Sequence, residues 1–121
     1  MRVVRLDHVQ LAMPVGREAE AVAFYEGVLG IPQVPKPAEL AKRGGCWFED
    51  GELRLHLGVE DPFVPARKAH AALEVDGLRA LVAALLAAGH DVRDEPYEGF
   101  DRVYTDDPFG NRLELLEPSG P

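Results

Sequence analysis

Cysteine occurs once in this 121-residue chain, as Cys46, and serine, threonine and asparagine occur once each, as Ser119, Thr105 and Asn111. A single thiol excludes an internal disulfide and a thiolate metal cage, and it agrees with a reducing, cytoplasmic setting. Ser119 stands in the terminal "PSGP", so hydroxyl-nucleophile chemistry has almost no candidate. No apolar run approaches the roughly 18 residues that a membrane helix requires, and "MRVVRLDHVQ" has no secretory hydrophobic region. A membrane is therefore not an expected partner. Blocks of lysine and arginine are missing too: 13 basic residues stand against 21 acidic ones, a net charge of −8. That balance argues against nucleic acid or anionic lipid as a partner. Cys46, beside Trp47, has no nucleophile motif around it and reads as an inert buried thiol.

What the chain does contain is 46% hydrophobic and 28% charged residues, an ordinary globular composition in a length that suits one domain, residues 1–121. It also repeats itself. Module one, about residues 1–60, opens with "LDHVQLAM", where Val9, Leu11 and Met13 alternate as in a strand. A helix is predicted from about Arg17 to Leu29, with Ala21, Tyr25, Val28 and Leu29 on one stripe and Gly30 as its stop. After "GIPQVP" and a short insert at Pro37 to Gly45, "CWFED" and "ELRLHLGV" flank the turn pair Asp50 and Gly51, a hairpin signal.

Module two, about residues 68–118, restates the order. "KAHAALEV" is a strand, Asp76 is the expected N-cap, and "GLRALVAALLAAG" is a helix with Leu78, Leu81 and Leu85 on its stripe. Strands follow in "HDVRDEP", "FDRVYTDD" and "RLELLE". Both modules read β-α-β-β-β, with "EDPFVPAR" between them, and neither is expected to bury its sheet alone.

Four polar residues interrupt the strands at matching places. His8 is offset by one from the Val9, Leu11, Met13 face, and His70 from Ala71, Leu73 and Val75. His56 lies between Leu55 and Leu57, and Glu114 between Leu113 and Leu115. Because strand side chains alternate, all four point away from the faces that pack on helices. A buried carboxylate such as Glu114 needs water or a positive partner. His90, just past a helix stop, reads as a solvated terminus residue. Gln10, Arg54, Ala72, Glu74 and Arg112 share the polar faces, with Trp47 and Tyr104 as candidate pocket walls. Arg54 and Arg112 are each read two ways, as an anion-binding group or as the partner of a nearby acid.

At these residues the chain resembles the glyoxalase, bleomycin-resistance and dioxygenase superfamily, the vicinal oxygen chelate proteins. The likeness rests on "DHVQLAM", "AVAFYEGVLGI", "KAHAALEVDGL" and "VYTDDPFGNRLELLE" and spans nearly the whole chain. It implies an α+β fold in which two tandem βαβββ modules form a curved eight-stranded mixed sheet around a groove, with helices on the outer face. It also implies one divalent transition metal, Zn, Ni, Fe, Co or Mn, held by His8, His56, His70 and Glu114, residue types that suit such an ion. The implied activity is that of a lyase or isomerase on a small substrate chelated through neighbouring oxygens, with Glu114 and His56 as catalytic residues and Gln10, Trp47, Arg54, Tyr104 and Arg112 around the substrate. A homodimer is implied as well.

Two other activities of the superfamily stay open. A metal-free binder resembling bleomycin-resistance proteins suits the −8 charge, though not three inward histidines. An Fe(II) extradiol-type dioxygenase matches Tyr104, Asp107, Pro108, Gly110 and Glu114 of the closing motif, but "RDEPYEGFDRVY" lacks the histidine expected before the tyrosine. Fosfomycin-modifying relatives carry a serine-containing loop, and "DEPYEGFD" has no serine.

Overall fold

In each half of the repeat the first strand runs into a helix rather than a hairpin, so it joins its sheet in parallel. The protein's structure, a computed structural model that describes residues 1–120, divides into two units, Met1–Val64 and the chain from Pro65 onward. The first unit runs β1 (Val9–Met13), α1 (Glu18–Tyr25), β2 (Gln33–Val34), α2 (Ala38–Ala41), β3 (Cys46–Asp50) and β4 (Leu53–Val59). Its sheet has the order β1-β4-β3-β2, with β1 parallel to β4 and the other pairs antiparallel. The second unit runs β5 (Ala71–Glu74), α3 (Leu78–Ala87), β6 (Val92–Asp94), β7 (Phe100–Asp106) and β8 (Arg112–Pro118). Its order, β5-β8-β7-β6, with β5 parallel to β8, is the same plan. The α+β class and the tandem βαβββ modules predicted from the sequence are thus observed, as two hydrogen-bonded sheets of four strands with α2 added in the first insert.

Helices α1 and α3 cover the apolar faces of their own sheets. In the first unit Met13, Ala21, Phe24, Tyr25, Phe48, Leu55 and Leu57 are buried, with the Tyr25 ring 5.4 Å from Phe48. In the second, Leu78, Val82 and Leu85 of α3 are buried, as are Val103, Leu113 and Leu115 of the sheet. Cys46 is buried as expected, and burial, helped by the Glu18 charge, pushes its thiol pKa up. The turn from β7 to β8 is a polar knot. The Asp107 carboxylate accepts from the backbone N–H groups of Phe109 and Asn111 and from the Asn111 amide, each at 2.9 Å, and Asn111 Oδ1 accepts from Ala66 N–H at 2.9 Å.

Four local details differ from the expectation. Helix α1 ends at Tyr25 rather than Leu29, because the N–H groups of Gly27 and Leu29 reach back five residues to Val22 and Phe24 (3.1 and 2.9 Å) in wider turns, around a poor helix former. The β3–β4 hairpin turns on Gly51 and Glu52, one residue later than the Asp50–Gly51 pair, which puts the left-handed conformation on glycine (φ 61°). The buried stripe of α3 is Leu78, Val82 and Leu85, with Leu81 only half-buried.

Asp76, finally, does not cap α3. Gly77 holds the N-cap position at φ 84°, and the Glu117 carboxylate, delivered from β8, accepts from Gly77 and Leu78 N–H at 2.7 and 3.2 Å. A carboxylate there meets both the orphan N–H groups and the positive end of the helix.

Replacing Glu117 with Ala is expected to lower stability by about 1 kcal/mol, the usual worth of a cap, whereas Asp76→Ala leaves it within about 0.5 kcal/mol; urea unfolding of both variants measures the difference. Arg79 of α3 also bonds Asp101 and, at 3.0 Å, Asp94. Its hydrogen bond holds the Asp101 carboxyl below the ordinary 3.8. A depressed carboxylate stabilises the fold above its unfolded pKa, and that contribution disappears as pH falls through the lower folded value. Asp101→Asn should therefore lower the melting temperature at neutral pH, with the gap to wild type closing as the pH falls below the ordinary 3.8; a gap unchanged through that fall would contradict the assignment.

Candidate functional site

The sheet register gathers the predicted site residues into one cluster on each unit. On the first, β1 places Gln10 opposite His56 of β4, and β3 places Trp47 opposite the same histidine. His8 stands one residue before β1, and its ring stacks on His56 at 4.5 Å between centroids, while Trp47 stacks on the other side at 4.1 Å and 6°. Sandwiched this way, His56 is only 4% exposed, deeper than a polar strand face would give it. Gln10 lies across Gly58, where a Cβ would strike its amide. A cavity of about 530 Å³ opens over these residues, bounded also by Asp7, Glu49 and Arg54.

Polar contacts orient both rings. His8 Nδ1–H donates to Asp7 Oδ1 at 3.0 Å, and His56 Nε2–H donates to Glu49 Oε2 at 2.7 Å. Among the described residues no buried side-chain nitrogen or oxygen lacks a hydrogen bond, so His56 Nδ1, which has no protein partner, stays open to the cavity. Arg54 is committed elsewhere: its Nη1 donates to Asp7 Oδ2 at 3.1 Å. Hydrogen bonding from His8 and the Arg54 charge together hold the Asp7 carboxyl below its ordinary range.

On the second unit the register sets Ala72 and Tyr104 on either side of Glu114. His70, one residue before β5, donates Nδ1–H to the Lys68 carbonyl at 2.8 Å and aims Nε2 at Glu114 Oε1, 2.9 Å away. Tyr104 O–H donates to the same oxygen at 3.2 Å, and Arg102 Nη1 lies 3.6 Å from Oε2. Burial pushes the Glu114 carboxyl up, but the hydrogen bonds from His70 and Tyr104 and the charge of Arg102 outweigh it and hold the group below its ordinary value. The guanidinium groups of Arg102 and Arg112 lie 5.2 and 5.1 Å from the Tyr104 ring centre. Glu114 thus has the positive partners that its place in the strand demanded.

The donor chemistry fits a divalent ion. A metal-binding imidazole almost always donates its second ring N–H to a carboxylate or carbonyl, which fixes the tautomer that frees the other nitrogen. His8 and His56 do so, toward Asp7 and Glu49, whereas both nitrogens of His70 are engaged, Nδ1 by the Lys68 carbonyl and Nε2 by Glu114. The 2.9 Å between His70 Nε2 and Glu114 Oε1 equals the spacing of two adjacent ligands each about 2.1 Å from one ion. Among the described residues no three His, Cys, Asp or Glu side chains form a cluster that could hold a metal ion.

Sequence reasoning missed Asp7, Glu49 and Arg102. Period two carries the signal for two of them: Glu49 follows Trp47 by two and faces Arg54 across the ladder, and Arg102 precedes Tyr104 by two. Asp7 precedes the strand and has no such signal.

The family model described as Glyoxalase/Bleomycin resistance protein/Dioxygenase superfamily matches residues 5–115. Among solved structures, a glyoxalase family protein from Bacillus anthracis is 45% identical over 98% of this chain and 100% of that one, with a TM-score of 0.92. A glyoxalase family protein from Enterococcus faecalis is 23% identical, with 93% and 97% covered and a TM-score of 0.70. The genomically encoded fosfomycin resistance protein FosX of Listeria monocytogenes is 15% identical, with 98% and 96% covered and a TM-score of 0.77. At those lower identities the likeness is one of fold. No curated protein matches the sequence.

Removing the Glu49 carboxylate leaves a buried imidazole N–H without its acceptor, at a cost of about 1–3 kcal/mol. Glu49→Ala is expected to lose that much stability in urea unfolding and to shift the His56 ring nitrogen resonances; an unchanged His56 spectrum would show that Glu49 does not orient it.

Proposed function

The chain belongs to the Glyoxalase/Bleomycin resistance protein/Dioxygenase superfamily, and from that premise we propose a divalent-metal-dependent lyase or isomerase acting on a small substrate with neighbouring oxygens. The observation that carries this reading is the acceptor found on one nitrogen of each of the three strand histidines. In the proposal His8, His56, His70 and Glu114 are the metal donors, in a homodimer in the cytoplasm. No helix is long and apolar enough to cross a membrane among the described residues.

A bound divalent ion would supply Lewis acidity, polarising the substrate oxygens and acidifying the adjacent C–H. The chain's own groups do the rest. Glu114, kept ionised by Tyr104, His70 and Arg102, presents a carboxylate at neutral pH. The Glu49–His56 pair presents Nδ1 to the cavity, either as a fourth donor to the ion or, where the other three residues hold the ion, as the base that accepts and returns a proton. Trp47 gives the substrate an apolar wall and Gln10 an amide to bind.

Protein purified without chelators and then reconstituted with Ni, Zn, Mn or Fe(II) is expected to hold metal in stoichiometric amount, and His70→Ala and Glu114→Ala to lower its affinity at least about tenfold. Elemental analysis and metal-dependent melting measure both. Unchanged metal content in the two variants would refute the donor assignment. Wild type that takes up no metal would instead favour the metal-free binder, to which the Trp47-walled cavity is also suited. His56→Ala separates roles: activity lost with metal kept marks an acid–base residue, and metal lost marks a ligand. A screen of methylglyoxal with thiols, catechols and 2-oxo compounds reads the activity.

A further inference from the structure

Four arginines of this acidic chain are half-buried, Arg54, Arg93, Arg102 and Arg112. Three have a carboxylate at hand: Arg54 with Asp7 at 3.1 Å, Arg93 with Asp106 at 3.3 Å and Arg102 with Glu114 at 3.6 Å. Arg112 has none among the described residues. The acid directly across the ladder from it is Asp106, and both oxygens of Asp106 face Arg93, at 3.3 Å each. What Arg112 does have is the Tyr104 ring, 5.1 Å from its guanidinium carbon. A guanidinium steadied on a ring keeps its N–H groups free, and withdrawing one from water without an anion is unfavourable.

From this we infer that Arg112 is an anion-binding subsite, and that the substrate is a small acid whose carboxylate binds Arg112 while its neighbouring oxygens lie toward His70 and Glu114. Arg112 and Glu114 stand two residues apart on one face of β8, about 7 Å along the strand. Tyr104 touches both, through its ring and its hydroxyl. That spacing suits a carboxylate a few carbons from the reacting oxygens, and a planar carboxylate matches the guanidinium edge in a bidentate pair. The structure also decides between the two arginines that share the polar faces: Arg54 is neutralised by Asp7 and Arg112 is not. The assignment rests on the proposed function for the identity of the site, but the binding it predicts is measured without metal.

The test titrates metal-free full-length protein with 2-oxoglutarate and with its distal N,N-dimethylamide, a tertiary amide that lacks the distal charge and cannot close onto the 2-oxo group, followed by calorimetry and amide NMR shifts. Wild type is expected to bind the acid about tenfold more tightly than the amide. Arg112→Met should abolish that preference, Arg112→Lys should keep part of it, and Arg54→Met should keep it whole. Equal affinity of wild type for the two compounds, or no binding of the acid, would overturn the inference; so would a preference that survives Arg112→Met or is lost in Arg54→Met. Metal content of Arg112→Met, measured separately, is expected to equal that of wild type, so failure of the anion subsite and failure of the metal reading give different results.

Discussion

Parallel pairing of the first strand with the last in each unit is the constraint on which the site depends. Side chains alternate with a period of two, so a slip of one residue would turn every polar group of a strand toward the helix. The register is held by the aliphatic side of the same strands. Leu55, Leu57, Leu113 and Leu115 are almost wholly buried, and each such burial contributes about 1.5–3 kcal/mol. The hydrogen bonds that orient the imidazoles contribute about 1 kcal/mol apiece. The leucines therefore decide where the histidines go, and the hydrogen bonds only decide how each ring turns once it is there.

The two units start from one plan and solve the same problem with different materials. In the first, a flat stack of His8, His56 and Trp47 covers the polar face, and carboxylates at the rim set the ring orientation. In the second, tyrosine and arginine surround a carboxylate, which changes its charge state rather than its packing. An ancestral repeat would account for the shared topology. One cluster is rich in nitrogen donors and the other is centred on an anion.

Repeat order and the placing of His8, His56, His70 and Glu114 at matching strand positions were legible in the sequence because alternation and helical spacing are local signals. So was the burial of Cys46. What was not legible came from contacts between residues far apart in the chain. Glu117 caps a helix whose N-cap residue lies 40 residues earlier, and no inspection of "VDGL" reveals it; a local rule picks Asp76. Helix α1 carries apolar residues on past Tyr25, so periodicity extends it, yet Gly27 weakens the turn. The burial of His56 follows from two rings supplied by other strands, and Arg112 is left unpaired only because Arg93 claims its neighbour.

Trp47 is the only tryptophan in the chain, and it lies flat against His56. An imidazolium at that distance withdraws electron density from an excited indole and dims its emission, whereas a neutral imidazole does so far less. The protein thus contains its own optical probe. A change of charge on that ring would register in the brightness of a single chromophore, with no label attached and no competing signal from another indole.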